Sequence, residues 1–464
     1  MNPRHLSELL VVLCLASCEP ATVTVTPHGS APPIRKVRLG LCEDYPEESR
    51  SLAEVRRDLG VLKAARVDVL RVSMGWDELE PKRDSYDFAF WDAMVDMAVG
   101  EFKIQLIPYV AYTPEWNSDG TPTDFWKTPP RETREFGELM GILARRYRGR
   151  IHSWELWNEP DNRDYWLGSA ADYAQLLEAG ATAVHASDPD ARVVFGGLAG
   201  GVDFLREVFD VHHGGERLDV VNVHSYYETW NPEPLETLPE YLERVAQIIE
   251  AHGGRQSLWM AEAGYSDFRG EGLDGARRAK SYEHTPDYQA VMLTKTLALA
   301  LSHPKVELIA WYELKDARPS DAVIGDAHNR HLGVDFADYT PKPAFSALGF
   351  MSQLFRPGFR SIDSELVLLS APNADLTLRG FLTERAVVLI AWLSTAAGAA
   401  APLRVRLPYA ARGAARRFDA SGRARGTVPL REVGRGRELE LEARPGEVEI
   451  VRIGLGGRVA LPAN

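Results

Sequence analysis

Two glutamates stand out by what surrounds them. Glu159 sits in Trp157-Asn158-Glu159-Pro160, just after an apolar run, and Glu262 closes Leu258-Trp259-Met260-Ala261-Glu262 before Ala263-Gly264. A lone glutamate at the end of an apolar run ordinarily makes a structural ion pair. Two at matched termini point to chemistry. A pair of carboxyl groups facing one cleft suits acetal hydrolysis: one is protonated and helps the leaving oxygen depart, while the other is ionised and attacks the anomeric carbon.

For these two groups to meet, the chain must carry both to the same end of one scaffold. Eight short strand-like runs do this: Lys36–Leu41, Val69–Ser73, Ile104–Ala111, His152–Trp157, Arg192–Gly197, Val220–His224, Leu258–Glu262 and Glu307–Tyr312. Amphipathic segments such as Ser51–Ala65, Phe88–Gly100, Arg131–Tyr147, Ala170–Ser187 and Leu238–His252 lie between them. Mostly apolar runs alternating with helices fit parallel strands covered on both faces, and eight such units predict an α/β fold, a (β/α)8 TIM barrel. Glu159 and Glu262 then end strands four and seven, nearly opposite each other across the mouth. A doubly wound sheet is the rival. The glycine run Gly196-Gly197-Leu198-Ala199-Gly200-Gly201 has the wrong spacing for a dinucleotide fingerprint and follows the fifth strand rather than the first.

Past residue 356 the helical period fades. Short runs at Leu366–Ser370, Leu376–Phe381, Ala386–Leu393, Leu403–Leu407, Glu438–Leu441 and Val448–Ile453 predict a small antiparallel β-sandwich over 357–464. Its aromatics are few, and Phe381 and Trp392 lie inside apolar runs, so this region reads as a packing partner of the barrel over 36–356.

Composition narrows the rest. The 464 residues include 53 Lys and Arg against 66 Asp and Glu, a net charge of −13, which disfavours a nucleic-acid partner. Three cysteines make no disulfide framework. Without HExxH or a Cys/His cluster no metal site is assigned, and no cofactor is expected. Gly264-Tyr265-Ser266-Asp267-Phe268 lacks the closing glycine of a serine-hydrolase elbow, and there is no P-loop.

With these residues in view, the sequence resembles the clan A glycoside hydrolases, retaining enzymes with the acid/base on strand four and the nucleophile on strand seven. The likeness is nearest to family 39 and related family 5 members, and covers roughly residues 36–350. It implies that Glu159 is the acid/base, that Asn158 hydrogen-bonds the sugar 2-hydroxyl, and that Glu262 is the nucleophile. Arg71, in Leu70-Arg71-Val72-Ser73, matches the arginine that keeps the nucleophile ionised. His224-Ser225-Tyr226 matches the His-x-Tyr beside it, and Trp311 matches the aromatic platform under the reacting sugar. On electrostatic grounds Glu262 and the rings of Trp154 and Trp157 should push the Glu159 pKa up. The partner implied is a carbohydrate. The alternative is a non-catalytic glycan-binding lipoprotein on a barrel scaffold.

Residues 1–18, with one early arginine and an apolar stretch from Leu9 to Ala16, read as an export signal. Leu15-Ala16-Ser17-Cys18 resembles the lipobox of bacterial lipoproteins, which implies lipidation of Cys18 and a cell-envelope location. Residues 19–35, rich in Pro and Thr, read as a tether. Cys42 reads as a small buried residue at the end of strand one. The long polar loops Tyr112–Arg131, Tyr265–Tyr288 and Lys315–Leu332 are expected to wall the cleft.

Overall fold

The computed structural model describes residues 33–45, 51–269, 284–319, 325–370, 373, 375–395, 398–409, 414–434 and 436–455. The leader, Cys18 and most of the tether lie outside the described residues, as do much of the loop after residue 269 and part of the one after residue 319. Among the described residues no helix is long and apolar enough to cross a membrane.

Eight parallel strands close into a barrel: β1 (Arg38–Glu43), β2 (Val69–Gly75), β3 (Gln105–Ala111), β4 (Ser153–Leu156), β5 (Arg192–Phe195), β6 (Val220–Ser225), β7 (Ser257–Ala263) and β8 (Val306–Trp311). β1 completes the ring by pairing with β8, Leu41 opposite Trp311. The helices between them start where local chemistry favours a start. Ser51 caps Leu52–Ala64 through the Glu54 N–H, and Ser169 with Asp172 forms a reciprocal capping box on Ala170–Ser187.

Alternation along the strands sorts residues into two layers. Leu70, Val72 and Met74 of β2 and Ile309 and Trp311 of β8 join the core between strands and helices. Cys42, Val69, Ile107, Val194, Val220, Trp259, Ala261, Leu308, Ala310 and Tyr312 form the separate cluster inside the ring. Cys42 Sγ donates to the Ala261 carbonyl at 3.2 Å, and burial pushes its thiol pKa well up, consistent with a packing role.

The C-terminal region is a sandwich of two antiparallel sheets. β9 (Phe359–Ser361), β11 (Leu376–Thr383), β12 (Ala386–Leu393), β14 (Ala415–Phe418), β15 (Ala424–Val428) and β18 (Val448–Gly454) form one. β10 (Val367–Leu368), β13 (Ala401–Leu407), β16 (Arg431–Val433) and β17 (Gly436–Ala443) form the other. The sequence β12, AVVLIAWL, is apolar throughout because both of its faces are covered. Val388, Ile390 and Trp392 join the barrel's core, while Val387, Leu389 and Ala391 join the sandwich's own. Phe381 and Trp392 therefore pack toward the barrel. Trp392 Nε1 also donates to Glu236 Oε1 at 2.7 Å, so a polar contact joins the apolar one.

Candidate active site

The middle of β2 and the carboxyl ends of β4, β6 and β7 bring together Arg71, Asn158, Glu159, His224, Tyr226 and Glu262. Arg71 is the hub. It lies mid-strand in β2, points into the barrel and is 1% exposed. Its Nη1 donates to Glu262 Oε2 at 2.6 Å. Its Nε and Nη2 donate to the two oxygens of Glu155 at 2.8 and 2.9 Å, and Nη2 also reaches Asn158 Oδ1 at 2.8 Å. The Tyr109 ring covers the guanidinium at 4.3 Å. Burial works against the Arg71 charge, yet Glu155 and Glu262 together raise its pKa well above the ordinary value.

Glu159 lies three residues beyond the end of β4, on a sharply turned backbone. Trp157 and Glu159 have φ of 82° and 45°, a left-handed region that side-chain-bearing residues seldom occupy. The turn is tied down by Trp157 N–H to the Val110 carbonyl at 2.9 Å and by Glu159 N–H to the Gly196 carbonyl at 2.5 Å. It needs glycine beside it. A Cβ on Gly196 would stand 2.6 Å from the Leu156 carbonyl, and one on Gly197 would stand 2.1 Å from His224 Nε2. The glycine run after the fifth strand thus makes room for the Glu159 turn and the His224 ring.

His224 bridges the two carboxyl groups. Its Nδ1 is 2.7 Å from Glu159 Oε1 and 3.5 Å from Glu262 Oε1, and burial lowers its pKa, which favours the neutral ring. Asn162 Nδ2 donates to Glu159 Oε2 at 2.7 Å, and the Tyr226 hydroxyl donates to Glu262 Oε1 at 2.5 Å. One oxygen each of Glu159 and Glu262 and a nitrogen of His224 lie within 4.8 Å of one another. Their carboxyl groups therefore face one shared cleft. The same three donors are close enough to share a cation, as are Asp267, Asp316 and His331, where the Lys342 ammonium already sits 3.0 Å from Asp267 and 2.7 Å from Asp316.

The environments differ between the two glutamates. Burial pushes Glu159 up to about 7, with the Asn162 hydrogen bond and Arg71 opposing and the charges of Asp164 and Glu155 adding. Burial also raises Glu262, against the pull of His224, Arg71 and the Tyr226 hydrogen bond. Only Glu262 is in direct contact with a guanidinium.

The family model for Glycosyl hydrolases family 39 matches residues 36–365. The chain belongs to that family. It is a glycoside hydrolase of the retaining, clan A type. Among solved structures it is similar to a family 39 glycoside hydrolase from the gut symbiont Bacteroides cellulosilyticus WH2, at 17% identity and a TM-score of 0.67, covering 90% of this chain and 81% of that one. It also resembles a monomeric β-xylosidase from Caulobacter crescentus CB15, at 16% identity and TM-score 0.62, covering 92% and 98% respectively. A family 30 endoxylanase from Clostridium papyrosolvens C71 matches at 11% and TM-score 0.61, covering 91% and 98%. At these identities the likeness is one of fold.

Two expectations about this family 39 hydrolase need correction, for one physical reason. Trp311, expected under the sugar, faces outward and is buried in the core between strands and helices. The aromatic inside the ring at the end of β8 is Tyr312, whose ring centroid lies 6.3 Å from that of Tyr226. Trp154, expected to shield Glu159, likewise packs outward beside Tyr147 at 6.3 Å. In both strands the sequence reading chose the wrong member of an alternating pair. Glu155 takes the inward place in β4 and was missed, although a glutamate inside Trp154-Glu155-Leu156-Trp157 was a visible signal. Asn222 was missed too: its Nδ2 donates to Glu155 Oε1 at 2.9 Å, and its Oδ1 accepts from the Ala261 N–H at 2.8 Å. The loop aromatics divide. Trp166 and Tyr112 are buried, whereas Trp116, Trp126, Tyr165 and Trp230 are half-buried at the carboxyl end of the barrel.

Proposed function

We propose that this protein hydrolyses β-linked glycans outside the cytoplasm by double displacement, with Glu262 as nucleophile and Glu159 as acid/base. In this reading residues 1–18 direct export, Cys18 carries a lipid anchor, residues 19–35 tether the enzyme to the cell envelope, the barrel over 36–356 is catalytic and the sandwich over 357–464 supports it.

The observation that carries the mechanism is the His224 bridge between two carboxyl groups that differ in their partners. Glu262, held by Arg71 and Tyr226, attacks the anomeric carbon while the Glu159 proton passes to the leaving oxygen. The result is a glycosyl ester on Glu262 and a free alcohol. Esterification removes the Glu262 charge, and Glu159, now a carboxylate, takes a proton from the incoming water as that water attacks the same carbon. Breaking the ester restores Glu262 and returns the proton to Glu159. Asn158 gives its side-chain oxygen to Arg71, which leaves its amide nitrogen to donate to the sugar.

Two inversions at one carbon give net retention. Proton NMR of the first product released from a β-glycoside should show the β-anomer before mutarotation; an α-anomer first would refute the two-step route.

A further inference from the structure

The active-site mouth holds a third carboxylate that the mechanism does not use. Asp44 follows directly on β1, is half-buried, and accepts hydrogen bonds from the Tyr109 hydroxyl on Oδ1 at 3.0 Å and from the Tyr312 hydroxyl on Oδ2 at 2.9 Å. Tyr109 is the ring that covers Arg71, and Tyr312 is the inward aromatic beside Tyr226. Arg71 and Tyr226 both bind Glu262, so the two phenols set Asp44 at the mouth that holds the nucleophile. Among the described residues no lysine or arginine pairs with Asp44. The nearby cation, Arg71, already serves Glu155, Glu262 and Asn158.

A carboxylate oxygen has two acceptor directions, and each oxygen of Asp44 has filled one with a phenol. The two phenols fix the carboxylate plane and leave the second direction of each oxygen free. Two parallel acceptors at carboxylate spacing match two neighbouring hydroxyls of a sugar ring.

We infer that Asp44 is a specificity-determining residue that accepts hydrogen bonds from two adjacent hydroxyls of the reacting sugar, remote from its anomeric carbon. The enzyme therefore takes neutral sugars with a free vicinal diol and rejects uronic acids, whose carboxylate would meet the like charge of Asp44. This inference rests on the glycosidase reading above.

The test compares wild type with Asp44→Asn on 4-nitrophenyl β-xyloside and β-glucoside, their 3-deoxy and 4-deoxy analogues, and the β-glucuronide. Wild type should lose about 10- to 100-fold in kcat/KM on at least one deoxy analogue, the size of a hydrogen bond to a charged group. Asp44→Asn should lose a similar factor on the parent sugar, show little further loss on that analogue, and favour the glucuronide more than wild type does. The wild-type deoxy penalty needs no variant, so a misfolded variant does not spare the inference. A deoxy penalty of equal size in both proteins, or none in wild type, overturns it while leaving the glycosidase reading intact. Absence of turnover together with absence of Glu262 labelling by a 2-deoxy-2-fluoro glycoside overturns both.

Discussion

Along β2 and β6 the barrel interior changes character within two residues. Toward the amino ends it is hydrocarbon: Val69, Ile107, Val194, Val220, Trp259 and Leu308 fill the ring. One inward step further along β2, Val69 gives way to Arg71, and along β6 Val220 gives way to Asn222 and then His224. The lower layer is a packed plug that keeps water out from beneath. The upper layer is an ion network that depends on that dryness. Glu155 is fully buried, and a buried carboxylate is tolerable only with charge-assisted partners such as Arg71 and Asn222. The same dryness raises the pKa of Glu159, which is what an acid catalyst working near neutral pH requires. One layer supplies shape and the other supplies chemistry.

The sharpest test of this contrast removes the reacting atom of the upper layer. Glu262→Ala should fold, because Arg71 keeps Glu155 and Asn158 as partners, yet lose roughly 10⁵-fold in kcat on a 4-nitrophenyl β-glycoside. Activity within a hundredfold of wild type would remove Glu262 as nucleophile.

Next in size is the hub itself. Arg71→Met leaves Glu155 buried with Asn222 as its remaining side-chain partner, and breaking a buried pair in this way costs about 3–5 kcal/mol. Chemical unfolding should show that loss, together with collapse of kcat. A variant as stable as wild type would mean that the network contributes function but no fold.

Much of this architecture was legible from pattern. Eight apolar runs separated by helical periods fix a barrel because parallel strands must be covered on both faces, and β12 announced its double burial in the same way. What alternation showed only weakly was parity. β8 is apolar apart from Glu307, whose exposed charge shares a face with Trp311 and is the one mark in Glu307–Tyr312 of which adjacent aromatic, Trp311 or Tyr312, faces inward. The closing contacts decide it, and those come from β1 and β7. The network around Glu155 was hidden for a similar reason: its partners Arg71 and Asn222 lie 84 and 67 residues away in the chain, so only the closed ring brings them together. Among the described residues the C-terminal region shows ten strands where six runs stood out, because short or polar strands such as β9, β14, β15 and β16 carry little apolar signal.

A finer probe is pH. Glu159 must be protonated for the first step, so kcat/KM on a substrate with a poor leaving group should fall above about pH 7, tenfold per unit, as that proton is lost. The acid side should fall as Glu262 gains a proton, above the range of an ordinary exposed glutamate because burial raises it. Glu159→Gln should abolish the basic limb. A basic limb that survives in that variant would assign it to another group.

The smallest expected effect lies in the hydrocarbon layer and asks whether the two layers are separable. Ile107 points inward on β3, two residues before Tyr109, and removing one methyl group as Ile107→Val should cost about 0.5–1.5 kcal/mol of stability. The plug then loses a little packing, but no hydrogen bond of the upper network passes through Ile107, so kcat and the pH profile should stay within about twofold of wild type. Measuring the unfolding midpoint and the pH profile on the same preparation separates the outcomes. A shifted basic limb with only a slight loss of stability would mean that the plug tunes the acid through the dryness it maintains, so that shape and chemistry are coupled across a single step of the pleat.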